Sequence, residues 1–294
     1  RTWIPCYQKN LMIIWLASYP KSGNTWVRAL ISSYYFSRDS FGFSDLKNIP
    51  NFSVGDFVHN KALLKNNFDV TKQWINVQEL INRQYKKTLF FKTHNACTSV
   101  NKNNFTNSNC SVGCIYIARD PRNVITSYKN FEAKTYEEIF NHMNNKEGFL
   151  FGNKKFESTF GFKGYEFISS WSNNYRSWMK NTQNIPICLV KYEDLLKDTL
   201  GQLKKIITFI AKVQNISNFK FNLEKGKKAV HDANFKNLSQ MEIKKEFNER
   251  STNHLGSKFF NLGEKNDWKK LLPRNIKEQI EKSFVSEMKE LNYL

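Results

Sequence analysis

The sequence has no run of apolar residues near the roughly 20 needed to cross a bilayer, so no membrane partner is expected. The first residues, Arg1 to Asn10, lack the apolar centre of a secretion signal. Met12 stands directly before the first apolar run, and residues 1–11 read as an N-terminal extension. Cysteine is scarce: the five, Cys6, Cys97, Cys110, Cys114 and Cys188, are irregularly spaced and include no Cys-x-x-Cys pair. An odd, scattered set argues against a zinc cage or a disulfide framework and for a reduced, cytoplasmic compartment. Cys114 and Cys188 lie in apolar runs and read as small buried hydrophobes. Acidic residues are few, 26 Asp+Glu against 45 Lys+Arg, which leaves a formal net charge of +19. Such a field attracts anions, from nucleotides to acidic glycans, although drift toward Lys and Asn accounts for the excess equally well. No basic run or recognisable nucleic-acid module accompanies it, so nucleic acid is not an expected partner. Internal repeats and linkers are absent too.

What the chain does have is core material. Its 294 residues are 40% hydrophobic and 15% aromatic, enough for one large α/β domain over the whole length. Met12 to Ala17 is an apolar run ending in a Ser-Tyr-Pro-Lys-Ser-Gly turn. Thr25 to Phe36 then follows a helical period through Trp26, Ala29, Leu30, Ser33 and Tyr34. Strand, tight turn and helix form the opening unit of a nucleotide-binding α/β fold. Thr88–Lys92, Gly113–Ala118 and Pro186–Lys191 predict further buried strands. Pro121 opens a helix through Tyr128 and Phe131. More helices are expected at Gly164–Lys180, with aromatic spacing through Phe167, Trp171, Tyr175 and Trp178, at Thr199–Lys212, and at Ile276–Leu291. Gly148–Lys163 reads as a connection. From Leu223 to Asp267 the periodicity weakens, and so long a stretch inside a domain predicts a lid over a ligand.

Chemistry concentrates in three ordered clusters. The first is Ser18-Tyr19-Pro20-Lys21-Ser22-Gly23-Asn24-Thr25-Trp26. A glycine after a strand lets the backbone turn tightly and present amides to an anion. The helix that follows points its positive end at the same place. Lys21 adds a full charge, Ser22, Asn24 and Thr25 add short polar groups, and Trp26 supplies a flat ring for a base. The plainer alternative is an ordinary strand–helix connection with a polar cap. The Walker pattern G-x-x-x-x-G-K-[ST] is not met, because Lys21 precedes Gly23 instead of following it, which disfavours Mg-dependent phosphoryl transfer. The second cluster, Phe91-Lys92-Thr93-His94, ends a strand at the carboxyl edge of the sheet, where α/β folds place ligands. The third, Ile117 to Tyr128, sets Arg119, a forked cation suited to phosphate, before a helix that carries Ser127 two turns along.

Tyr19 to Trp26 resembles the 5'-phosphosulfate loop of the cytosolic sulfotransferase family, Tyr-Pro-Lys-Ser-Gly-Thr-Thr-Trp, with Asn24 the one departure. Lys92-Thr93-His94 is similar to that family's Lys-Thr-His motif, and Arg119 to Tyr128 to its 3'-phosphate-binding strand and helix. The resemblance runs from about Met12 to the final helix. It implies an α/β three-layer sandwich with a central, mainly parallel sheet, akin to P-loop nucleotide hydrolases. It also implies a sulfotransferase that moves a sulfonate group from 3'-phosphoadenosine 5'-phosphosulfate (PAPS) to a hydroxyl or amine acceptor, releases PAP and uses no metal. Lys21, Ser22, Gly23, Asn24 and Thr25 would hold the 5' phosphate and sulfonate, and Trp26 would stack on adenine. His94 would be the base for the acceptor, with Lys21 and Lys92 neutralising the leaving phosphate. Arg119 and Ser127 would bind the 3' phosphate, with Arg122 a weaker candidate that otherwise only solvates its helix. Tyr192, in Val190-Lys191-Tyr192-Glu193-Asp194, and Phe235, in Asn234-Phe235-Lys236, would lie by the adenine; Gly263 would belong to the lid.

The pattern breaks near the end. Where the family has Arg-Lys-Gly before Gly-Asp-Trp, this chain has Asn261-Leu262-Gly263 and then Asn266-Asp267-Trp268-Lys269. Two phosphate-binding bases are missing, with Lys258 and Lys265 as nearby substitutes. The family's dimer motif, Lys-x-x-x-Thr-Val-x-x-x-Glu, aligns with Lys269 and Glu278 but has Pro273-Arg274 at its centre, so a homodimer by that route is not expected. The expected acceptor is a small molecule or glycan, with Ser40–Phe68 and Glu132–Phe162 as its walls. Two alternatives stay open at this point: a P-loop kinase or nucleotide-binding protein, and a homologue that binds donor or glycan without turnover.

Overall fold

The computed structural model describes residues 12–37, 39–151, 164–180, 182–244, 259–260 and 263–294. The Arg1–Asn10 extension, Cys6, Lys258 and the Asn261-Leu262 substitution lie outside them. Four apolar runs form the main sheet: β1 (Ile13–Ser18), β2 (Leu89–Thr93), β3 (Ser111–Ala118) and β4 (Ile187–Lys191). Their order is β2-β1-β3-β4 and every pairing is parallel. Both faces are covered, which is why the strands read as continuous apolar runs instead of alternating ones. Along β1, Ile13, Trp15 and Ala17 pack with Trp74, Phe91, Tyr116 and Trp178 on one face. Ile14 and Leu16 pack with Leu30, Ile115, Ile207 and Ile210 on the other. Successive side chains of a strand point to opposite faces, so one short run serves two cores. Each buried Ile or Leu contributes about 2 kcal/mol of transfer free energy before entropy is counted. The expected three-layer α/β arrangement is the one that forms.

Register places the site. Ala17 lies opposite Thr93, Ser18 opposite Ile117, and Ala118 opposite Lys191. The chain therefore leaves the sheet at one edge with Tyr19, His94, Arg119 and Tyr192 as the first residues past their strands. Helix α1 (Asn24–Tyr35) follows the first exit and α2 (Pro121–Glu132) the third. At α2, Pro121 occupies the first turn and the Asp120 carboxylate accepts the Arg122 N–H at 2.9 Å, a cap written directly into Asp-Pro-Arg.

Three sequence expectations need correction. The helix predicted for Gly164–Lys180 is α3 (Trp171–Met179) only, because Tyr165–Phe167 is a strand paired antiparallel with Phe149–Phe151. Ser169 takes a left-handed backbone (φ 56°) and the Ser170 side chain accepts the Asn173 N–H, which together start the helix late. After α4 (Thr199–Val213), the weakly periodic region holds two helices, α5 (Leu223–Asp232) and α6 (Phe235–Lys244). Lys and Glu crowd α5, and its buried face is made of Gly226 and Ala229, too small to register as an apolar stripe. Finally, Ile276–Leu291 divides at Phe284 into α7 (Arg274–Ser283) and α8 (Val285–Glu290).

Candidate active site

The first loop turns because two residues are left-handed, Lys21 at φ 63° and Gly23 at φ 100°. Gly23 is required twice over. Besides its φ, a Cβ there would lie 2.6 Å from Cδ2 of Tyr192, inside contact distance. The Tyr192 ring is the hub of this corner. It lies 5.5 Å from the Trp26 ring, edge to face, and 4.0 Å under the Arg119 guanidinium. Arg119 also donates from Nη1 to the Lys21 carbonyl at 2.9 Å, so the third cluster clamps the backbone of the first. Lys21, Ser22, Gly23, Asn24, Thr25, Trp26, Arg119 and Tyr192 are thus gathered at one corner.

Within this set the roles divide. The Asn24 Nδ2 donates to the Leu16 carbonyl (3.0 Å) and to Ser18 Oγ (3.2 Å), so its amide stitches the strand end to the helix start. Ser22 Oγ, Trp26 Nε1 and Arg119 Nε are buried donors with no partner among the described residues. A buried donor left unsatisfied costs about 1–3 kcal/mol. Three of them at one corner fit an anionic nucleotide that would accept their hydrogens. The Lys21 ammonium sits 4.0 Å over the Phe131 ring and 4.2 Å over that of Phe259.

His94 lies on the other side of β1. Its Nδ1 is 2.7 Å from the Ser18 carbonyl oxygen and 3.3 Å from Ser18 Oγ. A carbonyl can only accept, so Nδ1 carries the hydrogen and the neutral ring has its lone pair on Nε2. The backbone around it is held as firmly. The His94 N–H donates to Glu166 Oε1 at 2.7 Å, and Asn174 Nδ2 donates to the His94 carbonyl at 2.9 Å. Thr93 Oγ1 adds a second hydrogen bond to Glu166 Oε1 at 3.2 Å. Burial raises the Glu166 carboxyl above its usual range, opposed by the charge of Lys92 and by these two hydrogen bonds. Lys92 itself is buried at the end of β2.

Two further predicted residues meet each other. Phe235 opens α6, and its ring covers Gly263 (φ 51°) so closely that a Cβ there would fall 2.5 Å from Cζ. Ser127 is half-buried on α2. Lys265 is exposed on a short turn. Arg122 is not the solvated side chain its helix position suggested. It is buried, bonds Asp120 (2.7 Å), Glu281 (2.6 Å) and the Tyr293 carbonyl (2.6 Å), and lies 3.9 Å over Trp268. Its donors are committed to the fold. Sequence reasoning missed Glu166, Asn174 and Phe259, whose contacts with the motifs span too much chain to leave a local signal. Among the described residues no group of three or more His, Cys, Asp or Glu could hold a metal.

Comparison with known proteins bears on this geometry. The sequence profile of the family described as "Sulfotransferase domain" matches residues 12–292. Sulfotransferase 1B1 of Canis lupus familiaris is 24% identical over 283 residues, 93% of this chain and 82% of its own. Amine sulfotransferase of Oryctolagus cuniculus is 23% identical over 292 residues, 94% and 81% of the two chains. Among solved structures, mouse sulfotransferase SULT7A1 complexed with PAP aligns with a TM-score of 0.55 at 17% identity, over 96% of this chain and 86% of that one. Retinol dehydratase in a complex with retinol and PAP aligns with a TM-score of 0.56 at 16% identity, over 96% and 82%. These likenesses carry the fold, and the profile, spanning nearly the whole length, carries the family: the chain belongs to the sulfotransferase family.

Proposed function

We propose that this sulfotransferase takes sulfonate from PAPS and delivers it to a hydroxyl or amine of a small-molecule acceptor, with His94 as the base. PAPS, when bound, supplies an activated sulfonate on a phosphate leaving group. His94 Nε2 accepts the acceptor's proton as the new bond to sulfur forms; the bond from sulfur to the bridging phosphate oxygen breaks, and PAP leaves with that oxygen's electron pair. Lys21 and Lys92 offset the charge that grows on the leaving phosphate. Ser22, Gly23, Asn24 and Thr25 form the cradle, with Asn24 shaping it. Arg119 and Ser127 hold the 3' phosphate, Trp26, Tyr192 and Phe235 bracket the base, and the described residues of the 223–267 stretch, Gly263 among them, cover it.

The observation that carries the reading is the 2.7 Å bond from His94 Nδ1 to the Ser18 carbonyl. A general base needs a lone pair at one defined nitrogen, and this bond fixes the tautomer from the same strand end that begins the donor loop. An apolar acceptor site is supported by the segment before β2, where Phe52 N–H donates to the Lys92 carbonyl at 2.9 Å and Phe57 packs 6.2 Å from Phe91. A cytoplasmic setting is supported by four free, buried cysteines, Cys97, Cys110, Cys114 and Cys188. The test is His94→Ala, assayed with sulfur-labelled PAPS against a panel of phenols, alcohols and amines. Turnover should fall by at least a hundredfold while PAP affinity stays within about twofold; normal transfer by the variant would sink the assignment.

A further inference from the structure

The two ends of the donor site are joined by a chain of rings that no sequence motif announces. The Lys21 ammonium is 4.0 Å from the Phe131 ring centroid and 4.2 Å from that of Phe259. The two rings stand at 88° to each other, 6.0 Å apart, and form a corner around the cation. Phe131 lies on α2 beyond Ser127. Phe259 is anchored by α6, where the buried Glu242 carboxylate accepts both the Phe259 N–H (2.6 Å) and the Phe260 N–H (2.9 Å). Phe260 lies 5.1 Å from Phe259 and 6.4 Å from Phe235, whose ring covers Gly263.

Given the role of Lys21 proposed above, we infer that Phe259 and Phe131 form an aromatic clamp that sets the position of its ammonium for the donor's 5' phosphate, with Glu242 fixing the clamp. Lysine is a hydrated point charge on a flexible stem, and the Arg119 bond to its carbonyl fixes its root. A ring face within about 6 Å attracts a cation through its quadrupole. Unlike a carboxylate, a ring attracts a cation without cancelling its charge, so these two contacts leave the ammonium's field available to a phosphate. Phe259 acts through Lys21 and is a positioning residue. Because its backbone is pinned by α6, which also carries Phe235, the clamp ties the covering segment to the phosphate end of the site.

The test keeps ring volume while withdrawing the negative face. Phe259 is replaced by mono-, di- and trifluorophenylalanine, with thermal midpoints confirming intact folding. PAP affinity, read by calorimetry, should fall stepwise to about fivefold weaker at three fluorines. The series should be flat in a Lys21→Met background. Unchanged PAP affinity across the fluorines, or the same slope without Lys21, overturns the clamp. In the donor-free protein, acetic anhydride should acylate Lys21 faster as fluorines are added, read by peptide mass spectrometry. If the unsubstituted chain binds no PAP at all, the donor reading fails by itself. The acylation series still decides the clamp: a rate independent of fluorination refutes it.

Discussion

Glu166 offers the sharpest separation of stability from activity. Its carboxylate accepts the His94 N–H at 2.7 Å and the Thr93 hydroxyl at 3.2 Å, and it faces the charge of Lys92. Burial nevertheless outweighs those partners and holds its pKa above the ordinary 4.5. The native state therefore keeps a proton at pH values where the unfolded chain has released it. Stability from this group falls as pH rises above 4.5 through the native pKa. Glu166→Gln removes that slope, retains one acceptor for the His94 N–H, and gives up the charged part of the bond, about 1 kcal/mol. The two effects oppose, so its stability at pH 7 should lie within about 1 kcal/mol of the parent. Its kcat should not: Lys92 loses a fixed counter-charge and the strand end carrying His94 loosens, and a misplacement near 1 Å costs on the order of a hundredfold. Glu166→Ala leaves the N–H unpaired and should lose about 1–3 kcal/mol as well. Urea melts at pH 5 and pH 7, with kcat and PAP affinity measured side by side, decide the matter. A Glu166→Gln protein with parental kcat would refute the argument that this carboxylate positions the base.

Gly23→Ala combines a left-handed φ of 100° with a 2.6 Å approach to Tyr192, and should cost roughly 1–2 kcal/mol from the backbone alone. By moving Tyr192 under Arg119 it should weaken PAP binding at least about tenfold, by the loss of one charge-assisted contact; calorimetry checks both arms. Arg122→Ala strands Asp120 and Glu281 and should lose about 3–5 kcal/mol, seen as a fall near 10 °C in Tm. Turnover of PAPS should be unchanged by a chelator, because Lys21 precedes Gly23 and the loop lacks the Walker order that serves magnesium; activity restored only by added Mg would contradict it.

The parts of the candidate site legible in the sequence are those whose geometry is local. A strand end, a turn and a helix start lie within ten residues of each other, so Lys21 to Trp26 and Arg119 to Ser127 could be read as units. The strands were legible because burial on both faces demands unbroken apolar runs. Failures occur where a local pattern is overruled from afar. Phe167 and Trp171 stand four apart and mimic a helical face, yet the Glu166 and Asn95 bonds to β2's exit hold Tyr165–Phe167 extended. The Phe167 N–H, given to Asn95 Oδ1 at 2.8 Å, is the one a continuous helix would have needed. Arg122 looked exposed because its partners, Glu281 and Tyr293, sit more than 150 residues away. Phe259 bears on Lys21 across a still longer gap, and no periodicity encodes such a contact.

Sheet order also constrains how the reaction can be laid out. Because β1 lies between β2 and β3, its loop has His94 on one flank and Arg119, then Tyr192, on the other. A nucleotide bound as proposed, between Trp26 and Tyr192 with its 3' phosphate on Arg119, would occupy the β3–β4 side. Its sulfonate would then point to the β2 side, across the Lys21 loop. On that side stands His94, the base proposed above, after the strand that carries Lys92 and beside the Phe52–Phe57 segment that packs on the same strand. On the roles proposed above, the acceptor would reach the site from the β2 edge, beside that segment. Parallel register is what makes this division possible: four strands ending level give one edge on which His94, the Lys21 loop, Arg119 and Tyr192 are arrayed in order.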